Sequence, residues 1–312
     1  MITYKKIKAL GTEIEFCLQS NINRNFEYDL KELEFFIVNF EKRFSRFLTS
    51  SELSLLNRAG GAFKASSELI DLLSLAQDFY KTTKGIFDPT ILKTLEKKGY
   101  DKSFDSADFN HDIIKEDKYL GVIDFSQVEI DLAHKLITLP SGLAIDLGGI
   151  GKGYLVDLLV TKIKAKGYRD FWISAGGDMY LSGLNQDQKP YQVAVQNPKK
   201  LAEDIFNLTI INRELAVATS GVAKRQWLNN GKQYNHIIDP RTGLSVDNNL
   251  LAVTVVSDQA VKADIYAKTI LILGVEQGLA FINRQANSEA LIIGSNLELS
   301  LSKNMNNYLT KI

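Results

Sequence analysis

The chain has 312 residues, 45% of them hydrophobic, enough to build one large domain or two ordinary ones around a substantial core. Lysine plus arginine equals aspartate plus glutamate at 37 each, so the basic excess with which a nucleic-acid binder meets phosphate is missing and nucleic acid is excluded as a partner. The single Cys17 rules out an internal disulfide, and one cysteine with three histidines cannot build a Cys/His zinc site. No apolar run approaches a membrane span, which argues against stable membrane insertion. The opening MITYKKIKALGTEIEF has neither a signal-peptide core nor a lipobox, so the expected location is cytoplasmic.

Residues 2–19 alternate as two strands broken at Leu10-Gly11-Thr12. From Asp29 to Phe44, Leu30, Leu33, Phe36, Ile37, Phe40 and Phe44 recur at helical spacing. Thr49 to Glu52 has the form of a capping box with Thr49 as the acceptor, and Ser66 or Ser67 opens a helix through Leu69, Leu72, Leu73, Ala76 and Phe79. The charged stretch Asp101–Lys118 reads as a loop. VEIDLAHKLITL and SGLAIDL read as strands around a turn at Pro140-Ser141, Tyr154–Lys166 as a helix, and DFWISAGGDMYLSG as a buried strand ending in turns. Four more strands follow in PYQVAVQN, IFNLTIIN, LAVATSG and LLAVTVVS. Helices from about Asp258 and from Val275, and a last strand EALIIG, complete the order. Helices and strands mix without regular βαβ alternation. The expected fold class is therefore α+β, with mixed or antiparallel sheets packed against helices and no Rossmann domain.

The stretch AIDLGGIGKGY, Ala144–Tyr154, places four glycines and a lysine between an apolar run and a helix. It is not a P-loop, because Asp146 stands where the first glycine belongs and Gly153 follows Lys152 where Ser or Thr is required. The dinucleotide fingerprint fails as well, since Tyr154 takes the place of its third glycine. Two readings stay open: an anion site built from amides and a helix dipole, or a tight turn with a solvated lysine. Asp146 adds a carboxylate able to accept from a ring N–H or a ribose hydroxyl. Gly176-Gly177 before Asp178 repeats the device and suggests close approach by a backbone or a flat ligand. Val217–Gly221 reads as a third small-residue turn, with Thr219 and Ser220 as hydroxyl donors. In NHIIDPRTGLSV, His236 lies beside apolar Ile237-Ile238 and directly before a turn, where a structural histidine is the commoner outcome.

Together these stretches resemble the FAD:protein FMN transferases, the flavin transferase or ApbE family. The likeness runs in order through LGTEIEF, FSRFLTSSELSLLNRAGG, GIFDPT, IDLGGIGKGY, ISAGGDMYLSG, ATSG, HIIDPRTG and VSDQAVKADIYAKTILILG, and covers nearly the whole chain as one domain, residues 1–312. The resemblance implies a compact α+β fold and an enzyme that cleaves the FAD pyrophosphate with magnesium. It implies attachment of FMN to a Thr or Ser hydroxyl of a flavin-acceptor protein, with AMP released. It places Leu10, Phe87, Asp88, Pro89, Thr90, Asp146, Lys152, Gly176, Gly177, Asp178, Thr219 and Ser220 around FAD, with Leu10 in the position of a usual methionine. The Gly149 carbonyl and Asp264 would reach the metal, and His236 would serve transfer.

One position departs from the pattern. The family segment Ala-Asp-x-x-x-Thr sets Asp and Thr on one helical face toward magnesium, whereas here Lys268 holds the threonine position. Thr269 is no substitute, being turned about 100° further around the helix. Either Asp264 and Lys268 form an i,i+4 ion pair and the metal site is gone, or the Lys268 ammonium itself neutralises the diphosphate. Three functions follow: the transferase, a non-catalytic FAD-binding homologue, and a pyrophosphatase releasing FMN and AMP.

Overall fold

The computed structural model describes residues 1–22, 24–102, 112–113, 124–211, 214–222, 226–229 and 232–310. Most of the charged stretch read as a loop, residues 103–111 and 114–118, lies outside the described residues. The helices are α1 (Phe26–Phe44), α2 (Glu52–Ala59), α3 (Ser67–Thr82), α4 (Leu92–Lys97), α5 (Gly151–Ala165), α6 (Ala260–Leu273) and α7 (Val275–Ile282). No helix among the described residues is long and apolar enough to cross a membrane. The chain divides into two compact units: Met1–Val38 with Gly151–Ala223 and Asn248–Ile312, and Asn39–Ile150 with Lys224–Asp247.

The first unit is built on an eight-stranded antiparallel sheet: β1 (Ile2–Ala9), β2 (Thr12–Gln19), β3 (Asp170–Ala175), β4 (Asp178–Ser182), β5 (Glu214–Gly221), β6 (Leu250–Ser257), β7 (Ser288–Gly294) and β8 (Leu299–Leu301). Spatial order equals chain order. Two of its hairpins turn on two residues with both φ positive, Leu10-Gly11 (56° and 63°) and Gly176-Gly177 (63° and 97°), the geometry that matches the twist of paired strands. The segment DFWISAGGDMYLSG is therefore a hairpin, not one strand, and its paired glycines make the turn.

Side chains of these strands alternate between two faces. Helices α5 and α6 cover one face. α6 is apolar on nearly every side, with Ala260, Val261, Ala263, Ile265, Ala267 and Ile270 all buried, as a helix inside a core must be. The opposite face, with Leu181, Leu215, Val217, Val256 and Leu291, packs on Val195 and Leu208 of a second, three-stranded antiparallel sheet. LAVATSG lies wholly within β5, so its last residues are strand rather than turn.

In the second unit α2 and α3 bury Leu53, Leu56, Leu69, Leu72 and Leu73. Ser51, not Thr49, caps α2, its hydroxyl accepting from the Ser54 N–H at 3.0 Å, and Ser66 caps α3. VEIDLAHKLITL folds as two short strands, Glu129–Asp131 and Leu136–Thr138. SGLAIDL forms no strand. Its backbone is met instead by the Asn57 side chain, which bonds both the N–H and C=O of Ile145 at 2.8 and 2.9 Å, and by the Pro89 carbonyl, which accepts from the Asp146 N–H at 2.7 Å. The short strands Asp112–Ile113 and Gln226–Asn229 pair in parallel.

Candidate functional site

In the first unit four charged side chains converge. Lys152 is the second residue of α5, Asp178 opens β4, and Asp264 and Lys268 stand one turn apart on α6. The Lys152 ammonium donates to Asp178 and lies 3.5 Å from Asp264 Oδ2, while Lys268 bonds to Asp264 Oδ1. Both carboxylates are buried, whereas each lysine side chain keeps 18% of its surface exposed. Burial, reinforced by the Asp264 charge, pushes Asp178 up to about 6 against the pull of both lysines. Burial also opposes ionisation of Asp264, but Lys152 and Lys268 outweigh it and hold this carboxyl below its ordinary value. Lys268 is pushed down by burial, against the attraction of Asp264. The two carboxyls titrate as a pair, with Asp264 the more firmly ionised of them.

Leu10 and the Gly176-Gly177 turn belong to neighbouring hairpins, because β2 pairs with β3 up to Ile14 opposite Ala175. The Gly176 N–H donates to the Glu13 carbonyl at 3.0 Å, and a Cβ on Gly176 would come within 2.5 Å of Thr12 Oγ1. Space and a positive φ together account for this glycine. Thr219 and Ser220, by contrast, do not act as a pair. Ala216 lies opposite Tyr180, so Ser220 shares the helix-covered face with Tyr180 and Asp178. Thr219 points to the other face, where its hydroxyl bonds to that of Thr254 at 2.8 Å.

The second unit holds the rest of the expected set. Asp146 forms a buried ion pair with Arg46, Nε to Oδ2 2.6 Å, and accepts from the Gly148 N–H at 2.6 Å. Arg46 also donates to the Tyr100 carbonyl at 2.9 Å, and its guanidinium stacks on Phe47 and Tyr100. Phe87 lies against Gly149, where a Cβ would meet its ring at 3.4 Å. Asp88 accepts from the Thr90 N–H and Oγ1–H through one oxygen and from the Phe125 N–H through the other. Thr90 Oγ1 accepts in turn from the Asp124 N–H. Pro89 starts the intervening helical turn, so Asp88-Pro89-Thr90 works as a knot tying two chain segments together. Burial pushes the Asp88 carboxyl up despite these donors.

His236 is half-buried, at a bend between two short hairpins. Asn235 fixes its backbone, accepting from the Ile237 N–H at 3.0 Å and donating to the Val246 carbonyl at 3.0 Å. Asp239 and Leu244 close the following turn, with the Gly243 N–H bonded to the Asp239 carbonyl at 2.8 Å.

A model of the ApbE family matches residues 7–292. The chain belongs to the ApbE family. It is 24% identical over 296 residues to a protein of Haemophilus influenzae named FAD:protein FMN transferase, covering 92% of this chain and 85% of that one. A protein of Vibrio cholerae with the same name is 26% identical over 80% of this chain and 74% of its own. Two solved structures share the fold: the ApbE protein of Thermotoga maritima (TM-score 0.88, 22% identity) and the flavin transferase ApbE of Vibrio cholerae (0.84, 21%), each matched over 99% of both chains. The fold class is thus α+β with antiparallel sheets and helices, as the sequence pattern implies.

Within this ApbE-family chain none of the four glycines of Gly148–Gly153 has a positive φ, and two of them, Gly148 and Gly153, have no room for a Cβ. A Cβ on Gly153 would approach Val261 Cα at 2.6 Å, so this glycine lets α5 and α6 touch. Arg46 is the charged residue that sequence reasoning left without a role. Its only signal was a basic residue between two aromatics in FSRF, and nothing local ties it to an aspartate a hundred positions away.

The donor set that the family resemblance implies for magnesium is altered. Lys268 stands at the position where the resemblance implies an oxygen ligand, and it is bonded to Asp264 itself. A protonated ammonium offers no lone pair, and two ammonium groups beside one carboxylate repel a second cation. Among the described residues no group of three or more His, Cys, Asp and Glu side chains gathers elsewhere. The residues present do not fit a divalent cation.

Proposed function

We propose that this chain is an FAD:protein FMN transferase acting on a Thr or Ser hydroxyl of a flavin-acceptor protein, with residues 1–312 forming one functional domain. In support of the single domain, the family match runs across both compact units, each of which is assembled from separated stretches of chain. The observation that carries the functional reading is the Lys152–Asp178–Asp264–Lys268 set. It holds two ammonium groups by buried carboxylates while leaving each partly open to a ligand. A diphosphate is a ligand of complementary charge.

In the reaction the acceptor hydroxyl oxygen forms a bond to the phosphorus of the FMN half. The bond from that phosphorus to the bridging oxygen breaks, and AMP leaves with the bridging oxygen. The hydroxyl proton goes to His236, a transfer worth roughly 10²–10⁴ in rate. Lys152 and Lys268 face the charge that builds on the phosphoryl oxygens, the task of electrostatic stabilisation in phosphoryl transfer. Magnesium, which the family resemblance implies, has no fitting donor set here, so both cations come from the chain. Asp146, Gly176, Gly177 and Asp178 act in this reading mainly by holding the backbone and the lysines in place. Leu10 and the Ser220 hydroxyl would line the flavin, whereas the Thr219 hydroxyl is taken by Thr254 on the other face of the sheet.

The test is incubation with FAD and a flavin-acceptor domain, read by intact mass. The expected result is an FMN-sized gain on the acceptor, lowered at least about a hundredfold in rate by His236→Ala with FAD binding retained. Loss of FAD binding in that variant would make His236 a structural residue. One specific observation favours a second reading, a non-catalytic FAD-binding protein: the Lys268–Asp264 bond removes a metal ligand. Bound FAD with neither mass gain nor AMP would establish that reading, and AMP with free FMN but no gain would make the protein a pyrophosphatase.

A further inference from the structure

We propose that Lys268 is a tethered cation: its ammonium closes the Asp178–Asp264 carboxylate pair to divalent metal and makes ligand binding at this site independent of metal ions. Charge counting gives the reason. With Lys152 alone, two buried carboxylates face one ammonium, leaving a net charge of −1 that a divalent ion can reverse. With Lys268 added, two ammoniums face two carboxylates and the set is neutral. A metal entering now would have to break the bond from Lys268 to Asp264 and sit beside two like charges.

Geometry points the same way. Asp264 offers Oδ1 to Lys268 and Oδ2 to Lys152, at 3.5 Å, so both of its oxygens already face an ammonium. Asp178 is engaged by Lys152. Position i+4 on α6 puts the Lys268 ammonium on the same helical face as Asp264 and within bonding reach of it. Each lysine side chain keeps 18% of its surface exposed, so the ammoniums are reachable by an anion, as point charges on flexible stems. The exchange has a cost in charge, because one ammonium replaces a doubly charged ion. Neutralisation of a diphosphate is therefore weaker than a metal would give.

The metal half of this inference stands on the cluster alone, while its flavin half rests on the transferase reading, so the two are measured separately. Manganese serves as the probe, with binding to the full chain followed by electron paramagnetic resonance. Wild type is expected to bind no stoichiometric Mn²⁺ up to 1 mM, roughly the weak end of biological divalent sites, and Lys268→Thr to bind one equivalent that Asp264→Asn abolishes. Lys268→Gln, near-isosteric and neutral, repeats the test if the threonine variant does not fold.

One equivalent of Mn²⁺ on wild type, lost in Asp264→Asn, overturns the proposal. Absence of Mn²⁺ from both folded Lys268 variants overturns it too, because something other than Lys268 then excludes the ion. In parallel, FAD affinity is read by flavin fluorescence in EDTA and in Mn²⁺. Wild type should change less than twofold between the two. The threonine variant should bind at least tenfold more weakly in EDTA and recover in Mn²⁺. A wild-type affinity that rises tenfold with Mn²⁺ also overturns the proposal, whereas no FAD binding by any protein sinks the flavin reading and leaves the manganese result to decide the lysine.

Discussion

Asp146 and Asp264 are both buried aspartates compensated by basic side chains, and the difference between them separates a brace from a candidate site. Asp146 meets one guanidinium, which is itself only 5% exposed and held further by the Tyr100 carbonyl and two aromatic faces. Both side chains of the pair are nearly closed to solvent. Asp264 meets two ammoniums, one of which also bonds Asp178, and each is several times more exposed than Arg46. Fixed planar geometry favours arginine in the first role, and a flexible point charge with three donors favours lysine in the second. A third carboxylate, Asp157 on α5, forms no ion pair among the described residues. It accepts from the Ala260 and Val261 N–H groups at 2.8 and 2.9 Å, capping α6 from the neighbouring helix.

The sealed pair gives the largest expected effect. Arg46→Met leaves Asp146 charged and buried without its partner, which costs about 3–5 kcal/mol of stability. Urea unfolding measures it. Adding Asp146→Asn to the same chain removes the orphaned charge and keeps an acceptor for the Gly148 N–H, so a large part of the loss should return. A double variant no more stable than Arg46→Met would show that the aromatic stacking of Arg46, rather than its charge, holds the segment.

Asp157 tests compensation by amides alone. Burial raises its carboxyl from 3.8 to about 6, against the two backbone donors. A folded value above the unfolded one means that folding favours the protonated acid. Its contribution is fully present below pH 3.8 and is lost as pH rises through about 6. The group is thus expected to withdraw at most about 3 kcal/mol of stability between pH 4 and pH 7. Urea unfolding of wild type and Asp157→Asn across that range gives the answer. The variant should lose less stability with rising pH, and parallel curves would show that the amides of α6 fully compensate the ionised acid.

How much of this was legible follows from the range of each interaction. Helices with a strong apolar stripe and hairpins with two-residue turns are local, and α1, α3 and the β1–β2 hairpin follow the pattern of the sequence closely. The failures are of two kinds. LAVATSG read as ending in a turn because its residues are small, although alternation alone would have put Thr219 and Ser220 on opposite faces of a strand. SGLAIDL has the alternation of a strand, but Asn57 and Pro89 satisfy its backbone from elsewhere in the chain. The site divides the same way. The i,i+4 bond of Asp264 and Lys268 was visible in one helical turn, and the structure shows it. The pairing of Lys152 with Asp264, 112 positions away, and of Arg46 with Asp146, carries no local mark. Gly153 looked like part of a phosphate loop because glycine is silent about its reason, and the reason here is contact between two helices.

The smallest expected effect concerns Leu10, the one position in the β1–β2 turn where local preference and structure disagree. Its φ of 56° is left-handed, a conformation that costs a branched side chain roughly 1–2 kcal/mol and that Asn tolerates far better. Leu10→Asn also gives up part of a half-buried apolar contact, so the net gain should be about 0.5–1 kcal/mol, seen as a rise of about 1–2 °C in the thermal midpoint. Backbone strain of this kind persists where a side chain has work to do. If Leu10 flanks the flavin, the same variant should bind FAD more weakly while unfolding later, and the two measurements should move in opposite directions. If stability rises and FAD affinity holds, Leu10 serves the hairpin alone. The flavin must then be gripped by the charged set on α5, β4 and α6 without help from the turn.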